Sequence, residues 1–504
     1  MFTNVFAGII QSFSLTFDHK RSTGEWIGLL TGTVVVLDVG KTLTKLGCWS
    51  EDGALLAKLV RPNLRVMHDS LARLDVDGIG RFALASLSRF ARHGPIAAII
   101  PVAHGAAVAG IRGAALAFQP LDYEQAIPTN IAADYDRQRD AFAHNGSPCL
   151  PDGLNIGRQL HWLEARDSEA LAETTLLPWA QYWSWWLSGA AASEVTSLGC
   201  HSDLWSPAQS DFSDLAHSRG WATRFAPFAR AGDVVGTLRA DLADAAGLSC
   251  EVAVHCGLHD SNAALLAARP IAEMDLRDAT VVSTGTWFVA MRRPASPFPI
   301  AAMPRDRDCL VNVDIAGAAV PSARFMGGRE IERLTDVDTP NIDAPEAQES
   351  LLGAIDAVLK QGAMILPGFA PGTGPFANCT GAWINRPVDP IERAAAIAIY
   401  AALVTDAMLE LVGTRDLLIL EGRFSGCALF AGALASLRPG LVVHSAAADC
   451  DVGSGALHLV RPAALRRAPL SRVSPIRADL SAYRRAWQSA ISARPGPNFN
   501  EART

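Results

Sequence analysis

The apolar positions of this chain fall into short β-branched runs separated by small-residue turns, and one stretch sets the plan for the rest. Residues 33–56, TVVVLDVGKTLTKLGCWSEDGALL, open with Val34 to Val36 and reach a lone acid at Asp38. They turn at Gly40-Lys41-Thr42, enter a second run, and turn again at Glu51-Asp52-Gly53. This pattern predicts strand, tight turn, strand, turn, strand. Residues 279–291, ATVVSTGTWFVAM, repeat it, with Gly285 and Thr286 in the turn. Between the two hairpins, Ile79, Phe82, Leu84, Leu87 and Phe90 recur at helical spacing and predict a helix over 77–93. PIAAIIPVAHGAAVAGI, residues 95–111, reads as a buried strand, a break at His104-Gly105, and another strand. Residues 134–176 read as mostly helical around a Pro/Gly-rich loop at 147–157. The tryptophan cluster of 178–205 reads as core ahead of a ring surface on which a sugar stacks, and a strand ending at Gly257 leads to a helix start near Asp260. After the second hairpin come a strand pair (CLVNVDIAGAAV), a helix start (FMGGREIERL) and a polar surface loop at 335–350. A long apolar helix over 391–411 precedes a strand–glycine turn–helix (LLILEGRFSGCALFAGALASL), a strand (LVVHSAA) and a small-residue helix (DVGSGALHLV). Strands alternating with helices in both halves predict an α/β fold.

Composition narrows this picture. A chain of 504 residues has room for two domains, each with its own core. With 49% hydrophobic and 19% charged residues it is globular. A net charge of −7 argues against a broad nucleic-acid footprint. No continuous apolar run approaches the roughly eighteen residues that span a bilayer, so no membrane partner is expected. Nine cysteines without a CxxC pair suit reduced thiols and a cytoplasmic location. Residues 1–32 lack the basic start and cleavage site of a secretory signal and read as a loose extension. The expected division is 33–270 for a first domain, 271–465 for a second with the boundary in the 268–278 loop, and a partly disordered Arg/Pro-rich tail over 466–504.

Several residues carry candidate chemistry. A carboxylate at a strand end, beside glycine backbone and a threonine hydroxyl, suits Mg²⁺-bound phosphates, because glycine lets main-chain N–H groups approach the anion and the acid can hold the metal's waters. Two such hairpins would face each other across a cleft. A Walker A reading of Gly40-Lys41-Thr42 fails: Val35 stands where the first glycine belongs, and the turn enters a strand. Asp260, at a helix mouth just before the second hairpin, reads either as an N-cap or as a catalytic base; its position favours the base. His259 beside it could bond a substrate hydroxyl. His104 is either a satisfied core histidine or a hydroxyl-binding group on a cleft floor. Gly422, in LEGRFSG, marks either a plain tight turn or a place where a flat ring such as adenine approaches the backbone.

Taken together these segments resemble the FGGY carbohydrate kinases over roughly residues 33–462. The resemblance implies a two-domain actin/hexokinase-like ATPase fold with ribonuclease H-like domains, and an ATP- and Mg²⁺-dependent sugar kinase. LDVGKTLTK is similar to the family's first phosphate motif, implying Asp38 (through water to the metal), Gly40, Lys41, Thr42 and Lys45. STGTW is similar to the second, implying Gly285 and Thr286. GLHDSNAAL resembles the rhamnulokinase branch, implying Asp260 as general base with His259 and Ser261 lining the sugar. AHGAAV resembles the xylulokinase Met-His-Gly, placing His104 near the sugar. VNVDIAG implies Asn312 there too, and EGRFSG stands where the adenine loop lies, implying Gly422. Three departures stand out: Arg423 in place of the adenine loop's second glycine, Arg158-Gln159 where a signature lysine is usual, and PGTGPF (371–376) in place of a Gly-Glu-Arg-x-Pro crossing. The expected substrate is a ketopentose, a 6-deoxyketohexose or a related polyol, and a homodimer is a fair expectation. The rivals are an actin- or chaperone-like ATPase and a sugar-binding pseudokinase.

Overall fold

The computed structural model describes residues 31–267, 278–446, 452–463 and 470–494. The expected N-terminal extension, apart from its last two residues, lies outside the described residues, as does the expected boundary loop up to residue 277. The first sheet has seven strands, β1 (Thr33–Val39), β2 (Leu43–Trp49), β3 (Leu55–Pro62), β4 (Ile96–Ala103), β5 (Val234–Thr237), β6 (Ala253–His255) and β7 (Leu258–His259). Their order is β5-β6-β4-β1-β2-β3, with β7 also on β4. The second sheet has seven more, β8 (Ala279–Thr284), β9 (Phe288–Arg293), β10 (Cys309–Val313), β11 (Ala319–Phe325), β12 (Leu417–Gly422), β13 (Val442–Ala446) and β14 (Leu470–Arg472), ordered β10-β11-β9-β8-β12-β13-β14.

The two sheets repeat one plan. In each, the first strand pairs antiparallel with the second through the polar turn and parallel with a later strand on its other side. The period of two in the strands decides which helices cover which face. Val35, Leu37 and Val39 of β1 pack with Ile79, Ala83 and Leu87 of α1 (Val76–Phe90) and with Trp179 and Trp183 of the tryptophan-rich helix Trp179–Ser188. Those tryptophans are core, as expected. Val34 and Val36 face the other way, onto the helices that follow the last parallel strands, Asp260–Ala267 and Val452–His458.

That helix pair joins the halves. Ala456 and Leu457, from the second half, pack on the first sheet, and Leu265, from the first half, packs with Val281 and Ile419 of the second sheet. Contact is close enough that a Cβ on Gly455 would stand 1.7 Å from the Ala263 carbonyl oxygen, so only glycine fits there. The carboxyl ends of β1 and β8, where both polar turns sit, thus belong to sheets held face to face by two short helices.

The structure adds detail to three expectations. The long apolar helix Pro390–Leu411 has the length and composition to cross a membrane, although the sequence pattern suggested no such span. Asp389 caps it, Oδ1 accepting from Ile391 and Glu392 N–H, and 83% of its apolar window is buried beneath the second sheet. It is a core helix. The polar 335–350 stretch is not all surface loop, because Ile342 is fully buried and a helix starts at Gln348. The tail is ordered where it is described: β14 extends the second sheet, and helix Ser481–Ser492 buries Trp487, whose Nε1–H donates to the Ile365 carbonyl at 2.7 Å. Its apolar positions, Tyr483 and Trp487, are one helical turn apart, a signal that the arginines around them mask.

Candidate active site

At the end of β1 the register places Asp38 opposite Lys45, and Lys45 Nζ lies 3.3 Å from Asp38 Oδ2. The turn is braced from outside the motif. Asn63 Nδ2 donates to the Gly40 carbonyl at 2.7 Å, Asn63 N–H to the Thr42 carbonyl at 2.8 Å, and Asn63 Oδ1 accepts from Thr44 Oγ1 at 2.7 Å. With its carbonyls so engaged, the turn leaves Thr42 exposed. Lys41 points elsewhere. It pairs with Asp122, lies 3.6 Å from Glu124, and sits 4.5 Å over the Tyr123 ring. Arg65 completes this cluster through Asp122 and Glu124.

Lys41, Asp122 and Glu124 form one wall of a cavity of about 310 Å³ between the first turn, α1 and the start of helix Trp179–Ser188. Gly40, Thr42, His104 and Trp179 also line it. His104 Nδ1 accepts from Ala106 N–H at 3.3 Å, so Nε2 carries the proton, and it is buried without a protein partner among the described residues. Burial, helped by the Lys41 charge, pushes the ring down to about 3, so it is neutral. A buried, unsatisfied donor costs stability unless something binds it.

Asp260 opens its helix directly after β7, whose pairing with β4 puts His259 beside Ala103. Oδ1 accepts from Ser261 N–H at 2.6 Å and Ser261 Oγ at 3.3 Å, and lies 3.2 Å from His259 Nε2. The other His259 nitrogen lies 3.4 Å from Asn262 Nδ2. Asn262 thus engages one His259 nitrogen and the other lies next to Asp260, in a ring held at about 4 by burial. Thr196 Oγ1 fixes the same strand by accepting from His259 N–H at 3.1 Å. Burial pushes the Asp260 carboxyl up to about 6, against the opposing pull of Ser261 and Lys45. Gly105 stands between these groups, and a Cβ there would come within 3.0 Å of His259 Nε2 and 2.5 Å of Cys200 Sγ.

The second turn, Gly285-Thr286, ends β8 with Thr286 exposed. Helix Gly327–Leu334 packs against it so tightly that a Cβ on Gly328 would sit 2.2 Å from the Gly285 carbonyl oxygen. Gly422 takes φ +82°, and a Cβ there would lie 2.4 Å from the Thr284 carbonyl oxygen. The neighbouring strand thus suffices to require glycine. Arg423 turns outward to Asp343 at 2.7 Å and stands 4.8 Å from the Phe424 ring centre. Asn312 is buried on β10, with Nδ2 donating to Ser322 Oγ at 2.9 Å and Oδ1 unpartnered among the described residues.

No cluster of three or more His, Cys, Asp or Glu side chains suited to a metal occurs among the described residues. One carboxylate, Asp38, at a phosphate-type turn fits Mg²⁺, which keeps several waters and takes substrate phosphates as ligands. Asn63, which braces the first turn, and Tyr123, whose ring lies against Lys41, were not legible from the sequence: each sits in its own loop with no motif around it.

Residues 276–468 match the model of the carbohydrate kinase FGGY C-terminal domain. A carbohydrate kinase from Novosphingobium aromaticivorans is 52% identical, superposes with a TM-score of 0.87, and the match covers 92% of this chain and 99% of that one. The chain belongs to the FGGY carbohydrate kinases. No curated protein sequence matches it. The FGGY kinase also shares its fold with a xylulose kinase from Rhodospirillum rubrum (TM-score 0.74, 17% identity, 92% and 98% of the chains covered). A glycerol kinase from Plasmodium falciparum with ADP is similar in fold too (TM-score 0.71, 10% identity, 92% and 98% covered). The sequence resemblance to this family and the two-domain fold are thereby established, and with them a phosphotransferase acting on carbohydrate. In this FGGY kinase Arg158, standing where a lysine is usual, is buried and pairs with Asp136 at 2.5 Å, so its place is structural.

Proposed function

We propose that the protein transfers the γ-phosphoryl group of ATP to a hydroxyl of a ketose, a ketopentose or 6-deoxyketohexose, or of a related polyol. Asp260 is the general base. The observation that carries this reading is its carboxylate: one oxygen is organised by Ser261 and His259, and the pKa of about 6 leaves it ionised yet basic near neutrality. The sugar lies against the first domain, with His104 Nε2–H donating to one hydroxyl. Asp260 takes the proton of the attacking hydroxyl as the phosphoryl group arrives. Thr42, Lys45, Gly285 and Thr286 hold the terminal phosphates, and Asp38 would hold Mg²⁺ through water, which would supply charge neutralisation. Gly422 lies at the base end of the nucleotide, and Ser261 lines the sugar side. Lys41, tied to Asp122, shapes the sugar wall as much as the phosphate turn. Closure of the two domains excludes water, which would otherwise compete as acceptor.

The test is a mass-spectrometric screen of ketopentoses, 6-deoxyketohexoses and polyols with Mg²⁺-ATP. The expected result is a mono-phosphorylated product from at least one of them. Steady ATP hydrolysis with no phosphorylated sugar would instead support an actin-like ATPase.

A further inference from the structure

The second sheet presents an alternating face to the cleft. On β11, Ala323 and Phe325 point into the core of the second domain, so Val320, Ser322 and Arg324 point the other way, and Val320 packs with Leu265 of the helix that begins at Asp260. Arg324 is a charged residue on that face and is built into place. Its Nε donates to Asp308 Oδ1 at 2.9 Å, and its guanidinium lies 5.0 Å from the centre of the Trp287 ring, next to Thr286. Asp308 is itself held, its Oδ2 accepting from Gly374 N–H at 3.0 Å. Gly374 takes φ +77°, and a Cβ there would stand 2.7 Å from Phe325 Cβ, so the PGTGPF crossing needs glycine at this point. The departure from the family's usual crossing thus has a consequence: it anchors an arginine. Nε is engaged, and Nη1 and Nη2 make no hydrogen bond to the described residues.

Across the cleft lies the first domain's sugar side. Val311 and Val313 of β10 donate to the Gly146 and Gly199 carbonyls, both at 2.8 Å, which sets this corner of the second sheet against the loop carrying His201. His201 Nδ1 lies 2.9 Å from the Leu154 carbonyl, and Asn155 Nδ2 donates to the His201 carbonyl at 2.9 Å, so the ring is fixed with Nε2 as an acceptor. Burial pushes His201 down to about 3, and the Arg324 charge is the next largest cause; Tyr123, raised by burial, also feels Arg324 and Asp260. Arg324 therefore sits beside the second polar turn, opposite Val289 and over Trp287, on the strand face that packs against the helix opened by Asp260, within charge range of His201 and Tyr123.

We infer that Arg324 is a specificity-determining residue: its outer guanidinium edge donates to two adjacent oxygens of the substrate, at the end away from the hydroxyl facing Asp260. A planar fork of two N–H donors matches paired oxygens, either a diol or a carboxylate, and a lysine cannot reproduce it. Substrate then touches both domains, so binding it favours the closed cleft. This rests on the kinase reading above.

The test compares wild type, Arg324→Lys, Arg324→Met and Asp260→Asn on D-xylulose, L-rhamnulose, xylitol and D-gluconate. For whichever of these wild type phosphorylates, both Arg324 variants should raise the sugar KM by about 10–100-fold, the range for hydrogen bonds to a charged group, with the ATP KM within about twofold. Arg324→Lys keeps stem and charge and carries the test if the Met variant does not fold. A loss on neutral sugars identifies a diol, and a loss confined to D-gluconate identifies a carboxylate. An unchanged sugar KM in Arg324→Lys, or a rise in the ATP KM instead, overturns the inference while leaving the kinase reading intact if Asp260→Asn is inactive. Failure of wild type on all four compounds removes the ketose and polyol reading and this inference with it.

Discussion

Asp260→Asn is the variant for which chemistry and stability should move in opposite directions. The wild-type carboxyl rises from 3.8 unfolded to about 6 folded because burial disfavours its charge. Between those values the native state binds more protons than the unfolded chain, so stability falls as pH rises through that window. A rise of this size corresponds to about 3 kcal/mol, a penalty absent below pH 3.8 and complete above pH 6. Asparagine keeps an acceptor for Ser261 N–H and carries no charge, so the variant should gain on wild type as pH rises. The gap should widen by about 2 kcal/mol between roughly pH 4.5 and pH 8. Turnover should fall by about 10²–10⁴-fold, the usual contribution of a positioned base, with the ATP KM little changed. Denaturant titrations at the two pH values and steady-state kinetics at the higher one read both effects. A variant that keeps near-wild-type turnover removes Asp260 from catalysis, and a stability difference that does not change with pH refutes the burial argument.

His104→Ala should raise the sugar KM by about tenfold or more while leaving the ATP KM in place, since it deletes one buried donor; an unchanged sugar KM returns His104 to the core. Gly328→Ala drives a methyl toward the Gly285 carbonyl oxygen, 2.2 Å from an ideal Cβ, so it should displace the second phosphate turn and raise the ATP KM more than the sugar KM, by steady-state kinetics. Acid should destabilise the protein from below pH 6.5, because His104, His201 and His259 are held near 3, 3 and 4 and stay neutral in the native state while the unfolded chain protonates. Each contributes a loss of about 2 kcal/mol near pH 5, and the opposing gain from Asp260 is only about 1 kcal/mol, so melting temperatures should drop between roughly pH 7 and pH 5.

The parts of this molecule that could be read from sequence are those in which local pattern and tertiary role coincide. Val34 to Asp38 alternates between two buried faces and ends in a turn, so strand, turn and acid could be named without knowing what covered them. Asp260 was ambiguous because capping a helix and serving as a base need the same carboxylate at the same place; its nearness to His259 and its raised pKa are what the proposed base role rests on. His259 was expected to face substrate; strand pairing sets its ring between Asp260 and Asn262, a geometry that spacing does not encode. Lys41 stands inside the phosphate motif but is drawn to Asp122, a residue 81 positions away in sequence. In the tail, charge and proline count masked the helix Ser481–Ser492, whose Tyr483 and Trp487 at helical spacing are buried.

The division of labour between the halves follows from the duplicated sheet. Each repeat supplies one polar turn at the end of its first strand, and neither turn alone can enclose a phosphate chain. Facing turns require the sheets to meet, and the helices that join them must be thin, which is why Gly455 lies against the Ala263 carbonyl and small residues fill the seam. A seam of small residues over two short helices offers little interlocking side-chain volume to resist relative motion of the sheets. To the two turns the first half adds the proposed base Asp260, the neutral His104 and a cavity walled by Lys41 and Asp122. On the proposed reading, duplication accounts for a phosphate turn in each half, while the proposed base comes from the first half alone.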